Sequence, residues 1–157
     1  MVSSVLAPVQ QRGREALQRL GLPTHRQEAW RLTDLKRLGA MHALPLIPAD
    51  ARDDLPEPPK RGLRLLLGAD QNPLEGVTLP NGIKALNNDE LESLLGRVTD
   101  HCGCSEDWPV ELNKSSSQQI LALQISGKVP PLELVIDASG SGLLATRVLL
   151  ILDPKAE

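Results

Sequence analysis

The most informative stretch of the chain reads Gly21-Leu22-Pro23-Thr24-His25-Arg26-Gln27-Glu28-Ala29-Trp30-Arg31-Leu32-Thr33-Asp34-Leu35-Lys36-Arg37-Leu38. It opens on a helix stop, because glycine takes the left-handed conformation that closes a helix and proline cannot continue one. Upstream, residues 8–20 place Val9, Ala16, Leu17 and Leu20 on one helical face, opposite Gln10, Arg14, Gln18 and Arg19. Gly13 weakens the middle of that helix. Downstream, Thr24 and Gln27 fit a capping box, so a second helix is expected at once. Beyond Trp30, Leu32, Leu35, Leu38 and Met41 recur every third position. Such a stripe drifts around a 3.6-residue helix, and the spacing predicts a tightening or restart near Thr33.

Residues 1–43 therefore read as a helical segment. Residues 44–62 hold Pro45, Pro48, Pro56, Pro58 and Pro59 among acids and read as an extended connector. Residues 63–157 form an α+β segment. Short strands are expected at Leu63–Leu67, Val77–Leu79 and Ile83–Leu86, with a tight turn at Pro80-Asn81-Gly82. Asn87 with Glu90, or Asn88, caps a helix carrying Leu91, Leu94, Leu95 and Val98. A further helix is expected from Ser105 or Glu106 to Asn113, with Trp108 and Leu112 inward. Alternation then predicts strands over Leu121–Ile125 and Leu132–Ile136, and the apolar run Val148–Leu152 predicts a strand buried on both faces. So apolar a strand near Glu157 needs a cover, which suggests the front piece of something larger or a partner over that edge.

Composition narrows the chemistry. Trp30 and Trp108 are the only aromatics, so the core is aliphatic and base-stacking platforms are improbable. Net charge is −3, and the basic cluster Arg31, Lys36, Arg37 is interleaved with acids, which argues against nucleic acid as a partner. No apolar run approaches the ~20 residues of a spanning helix, the start lacks a secretory pattern, and two cysteines make no disulfide framework. No membrane association and a cytoplasmic location are the expectation.

His101-Cys102-Gly103-Cys104 is the strongest candidate for metal chemistry, since two thiolates and an imidazole could ligate zinc or an iron–sulfur cluster. A closed site needs a fourth ligand, which only His25, His42 or a carboxylate could supply. The competing reading is a reduced loop whose glycine serves the turn. Gly140-Ser141-Gly142-Leu143-Leu144-Ala145 matches the dinucleotide pattern G-x-G-x-x-A, but β-like residues follow where a phosphate-binding helix is required, so a hairpin turn is expected. His25 and His42 neighbour no nucleophile, Asp53-Asp54 is a solvated pair, and both tryptophans read as core anchors. No catalytic residue is assigned.

Glu28-Ala29-Trp30-Arg31-Leu32-Thr33-Asp34, preceded by Gly21-Leu22-Pro23-Thr24, resembles the N-terminal signature of the SufD family of iron–sulfur cluster assembly proteins. Leu65–Leu86 looks like that family's short strands around a Leu-Pro-x-Gly turn. Trp108–Asn113 is similar to its helix ending in Leu-Asn, and Val129–Val135 to the lead-in of its right-handed parallel β-helix. Leu32 departs from a position often aromatic, and Ser115–Gln119 is more polar than the pattern. The resemblance implies an N-terminal helical hairpin, then strands and helices leading into the first strands of that β-helix. It implies a scaffold role beside SufB-like and SufC-like subunits, met mainly through regions beyond residue 157. The cluster and ATP would be handled by the complex and its partner subunit, with no cofactor in this chain and no catalysis of its own.

Overall fold

The computed structural model describes residues 4–41, 44, 46–48, 57–69, 72–104 and 107–157. His42, Asp53-Asp54, Ser105, Glu106 and much of the proline-rich connector lie outside them. In chain order the helices are α1 (Ala7–Leu20), α2 (Leu35–Met41), α3 (Asn88–Glu92), α4 (Arg97–His101) and α5 (Trp108–Ser116). The strands are β1 (Ile47–Pro48), β2 (Leu63–Leu67), β3 (Ile83–Ala85), β4 (Gln119–Ile125), β5 (Leu132–Ile136), β6 (Gly140–Ser141) and β7 (Thr146–Leu152). The protein is thus mixed α+β.

α1 stops where Gly21 takes φ 67° and donates its N–H to the Leu17 carbonyl. The capping exchange that follows is half made. Gln27 Oε1 accepts the Thr24 N–H at 2.8 Å, but only a single 3₁₀ turn, Glu28–Trp30, comes of it. The helix restarts at α2, where Asp34 Oδ1 accepts the Arg37 N–H at 3.0 Å. Leu32, left between the two pieces, is 92% exposed.

The expected hairpin between α1 and the next helix gives way to a different partner, because α1 packs on α5. Gly13 is the reason. A Cβ there would stand 2.6 Å from the Ser115 nitrogen and 2.9 Å from the Glu111 carbonyl oxygen, so one helix rides directly on the other's backbone. Gln10 Nε2 then reaches the Ser117 carbonyl at 2.6 Å. The polar run Ser115–Gln119 ends α5, with Ser117 fully buried and its hydroxyl donating back to the Asn113 carbonyl.

Asn87 makes a complete capping box with Glu90, at 3.0 and 2.9 Å. The single helix expected through Val98 is nevertheless two, since Gly96 at φ 91° breaks the chain between α3 and α4. Val98 is consequently exposed. The strand expected at Val77–Leu79 is a loop: Asn72 Oδ1 accepts the Leu74 N–H, and successive turns close at Glu75 and Val77. Leu74, Val77 and Leu79 still pack on the core. The turn at Pro80–Ile83 forms as expected, with Gly82 at φ 90° and pressed against the Ser126 carbonyl.

β4 is the centre of the molecule. Leu121 and Leu123 are fully buried on one face against Leu65, Leu67 and Ile83, and Ala122 on the other meets Val5, Leu6 and Leu91. β3 pairs with it antiparallel, β7 pairs with it parallel, and separately β5 lies parallel on β2. β1 and β6 form a small antiparallel pair. The glycine segment 140–145 is therefore not a hairpin turn. Its flanking strands belong to different sheets, and the segment carries the chain between them, tied to the connector by Leu143 N–H to Leu44 carbonyl at 2.8 Å.

β7 departs from the expected double burial. Val148, Leu150 and Leu152 are 41%, 42% and 64% exposed. They stand in register with the buried Leu121, Leu123 and Ile125, so they extend the same apolar columns, yet β7 is the outermost strand of its sheet. After β7 the chain keeps following the path it took after β4. The Asp153 N–H donates to Ile125, Gln124 Nε2 to Asp153 Oδ1, the Glu157 N–H to Gly127, and the Val129 N–H to Glu157.

Candidate functional site

The residues with most chemistry in the sequence do not converge. His25 and His101 lie at the surface, His101 with Nδ1 set 2.7 Å from the Arg97 carbonyl at the end of α4. Cys102 is exposed and Cys104 half-buried, the Cys104 thiol donating to the Cys102 carbonyl at 3.7 Å across the positive-φ Gly103. Among the described residues, no three His, Cys, Asp or Glu side chains are grouped to hold a metal ion. None of the described helices is long and apolar enough to cross a membrane. Where G-x-G-x-x-A would need a helix, Ala145 leads into β7.

Three arrangements not legible in the sequence stand out. The first is a pair of outer strands, β7 with Val148, Leu150 and Leu152 beside β4, and β5 with Leu132, Leu134 and Ile136 beside β2. Beneath them are Leu121 and Leu123 of β4 and Leu65 and Leu67 of β2, all four fully buried. Ile136 is 59% exposed although its partner Leu67 is sealed.

The second is a buried ionic knot beneath α1. Lys114 Nζ lies 2.8 Å from Glu111 Oε1, and both side chains are almost fully enclosed. Arg147 enters from β7, donating to Asn113 Oδ1 at 3.2 Å, and Asn113 Nδ2 donates to the Thr146 carbonyl at 3.0 Å. Burial lowers the Arg147 pKa, and the Glu111 carboxylate opposes that shift. A charge enclosed with its partner is costly to strip of that partner, so the knot ties α5 to β7.

The third is a groove of about 400 Å3 between the end of α1, the 3₁₀ turn and the start of α5. Trp30 and Trp108 meet there edge to face, ring centres 6.1 Å apart and planes at 82°. Trp108 is buried and Trp30 half-buried. Beside them, Asp107 begins α5 without lending its carboxylate to the cap.

No protein-family model matches the chain. No curated protein and no solved structure matches it either.

Proposed function

We propose that the chain is the N-terminal part of a SufD-like scaffold subunit, acting in iron–sulfur cluster assembly with SufB-like and SufC-like partners and performing no catalysis itself. The observation that carries this reading is the return of the chain onto itself. From β4 it passes through β5 and β6 and comes back parallel to β4, with Gln119 beside Thr146 and Ile125 beside Leu152. It then starts a second circuit along residues 125–129. That is how a parallel β-helix grows, and a parallel crossover of this kind is right-handed in nearly all proteins. Helices and short strands precede β4 in the chain, although α1 packs on α5 and does not form the helical hairpin that the resemblance implies. In this reading the open rows on β5 and β7 are covered by a further coil, and the partner subunits dock on parts of the scaffold after residue 157. Cluster and nucleotide then belong to the assembly, which works in the cytoplasm.

The test is affinity purification of the gene product from its own cells under anaerobic conditions, with mass spectrometry for named partners. SufB-like and SufC-like subunits in comparable amounts, together with loss of iron–sulfur enzyme activity on depletion, are expected. If neither subunit co-purifies and depletion leaves those activities intact, the reading fails.

A further inference from the structure

We infer that the groove at Trp30 and Trp108 binds the guanidinium of an arginine side chain presented by a partner polypeptide. The two tryptophans of the chain, far apart in sequence, meet at one place. Two core anchors would both be sealed, yet Trp30 stays half-exposed at the groove. Trp108 is buried and stands at 82° to Trp30, so the half-exposed Trp30 is the ring a ligand can reach, and the face of an indole is the aromatic surface that best attracts a cation.

Asp107 supplies the charge. It is exposed, makes no side-chain cap on α5, and is the sole ionisable residue among the described residues lining the groove. The first turn of α5 opposes a cation with roughly half a positive charge, but the full charge of the Asp107 carboxylate outweighs it. Pro109 also removes one of the exposed N–H groups of that turn.

Shape selects the source of the cation. About 400 Å3 is far more than a bare ammonium fills, and the groove continues along the apolar side chains Leu20, Pro23 and Val110. A guanidinium on a methylene stem matches both parts: its plane stacks on indole, its N–H fork meets a carboxylate, and its stem lies on aliphatic surface. The site is independent of the scaffold reading, since it lies on the helices and uses neither open strand edge.

The test is a titration of the whole chain with a blocked glycine–arginine–glycine tripeptide, read by intrinsic fluorescence, which comes from Trp30 and Trp108 alone because the chain has no tyrosine. A saturable change with half-effect in the low millimolar range is expected, on the order of what one stacked and paired cation supplies. The isosteric citrulline peptide should give no saturable change, and the lysine peptide and tetramethylammonium should bind at least about threefold more weakly. Asp107→Asn should weaken binding about fivefold or more, and Trp30→Leu about tenfold or more, with Trp108 remaining as reporter. Asp107→Asn keeps a good capping residue, so it decides the matter should Trp30→Leu disturb the fold. The inference is overturned by no saturation up to about 50 mM, by equal binding of citrulline or tetramethylammonium, or by an Asp107→Asn protein that binds as the parent does.

Discussion

The Cβ that Gly13 lacks would fall 2.6 Å from the backbone nitrogen of Ser115, closer than real carbon atoms approach. Replacing an interior helical glycine by alanine normally stabilises a helix by about 1 kcal/mol. Here the sign reverses. Gly13→Ala pushes α1 off α5, and a net loss of about 2 kcal/mol is expected from overpacking. Urea unfolding followed by circular dichroism measures it, and a stabilised variant would show that the two helices are not in backbone contact.

The buried knot predicts an unequal pair of losses. Glu111 pairs with Lys114, and its carboxylate also acts through charge on Arg147. Glu111→Gln leaves the enclosed Lys114 ammonium without its partner, with the half-buried Arg147 nearby, and should cost about 3–5 kcal/mol, the range for removing one partner of a buried pair. Lys114→Met leaves Arg147 still opposite the carboxylate and should cost about half as much or less. Chemical denaturation of the two single variants and the double variant gives the coupling. Equal losses for both singles would remove Arg147 from the network.

Acid should loosen α3 first. The Lys84 ammonium, 2.6 Å from Glu90 Oε1, and the Asn87 N–H hold the Glu90 carboxyl below its ordinary 4.5. A carboxyl whose folded pKa is depressed stabilises the fold above its unfolded value and loses that contribution as pH falls through the folded value. Glu90→Gln should therefore lower stability at neutrality, where the carboxylate contributes in full, and flatten the decline below pH 4.5 so that the two proteins converge in acid. Asn87→Ala should cost about 1 kcal/mol at pH 7 through the lost cap. Melting temperatures across pH 3–7 check both, as an order-of-magnitude window around carboxylate titration.

Leu123 and Leu150 face each other in register, one sealed and one 42% exposed. Leu123→Ala should cost about 2–5 kcal/mol and Leu150→Ala about 1 kcal/mol or less in this chain. In a chain carrying a further coil, the Leu150→Ala loss should rise towards that of Leu123→Ala. If it stays small there, the open rows of β5 and β7 are not the floor of another layer.

Local chemistry was readable in the sequence, and spatial pairing was not. Gly21–Pro23 stopped α1, Asn87 and Glu90 capped α3, a short apolar run marked β2 and alternation marked β4 and β5, because each depends on neighbours a few residues away. Gly13 read as a flaw since nothing near it in sequence reveals α5 pressing on its backbone. Val148–Leu152 read as doubly buried because apolar composition reports what a strand could cover, not what covers it. The glycine segment 140–145 looked like a hairpin because its turn chemistry says nothing about which sheet the next strand joins. Glu111 and Lys114 look like an ordinary solvated i,i+3 pair, and only the weight of α1 and β7 encloses them. The Trp30–Trp108 corner was legible only as scarcity: two aromatics in the chain, with no hint that they meet.

The parallel path of residues 153–157 beside residues 125–129 gives this architecture a direction in time. β7 has no edge to join until β4 is in place, and the last residues have no rail to follow until the bend at Gly127 is set. The edge that β7 joins is made by a strand that precedes it in the chain. Such a chain suits folding from its first residue onward as it leaves the ribosome, with every finished layer shortening the search of the next.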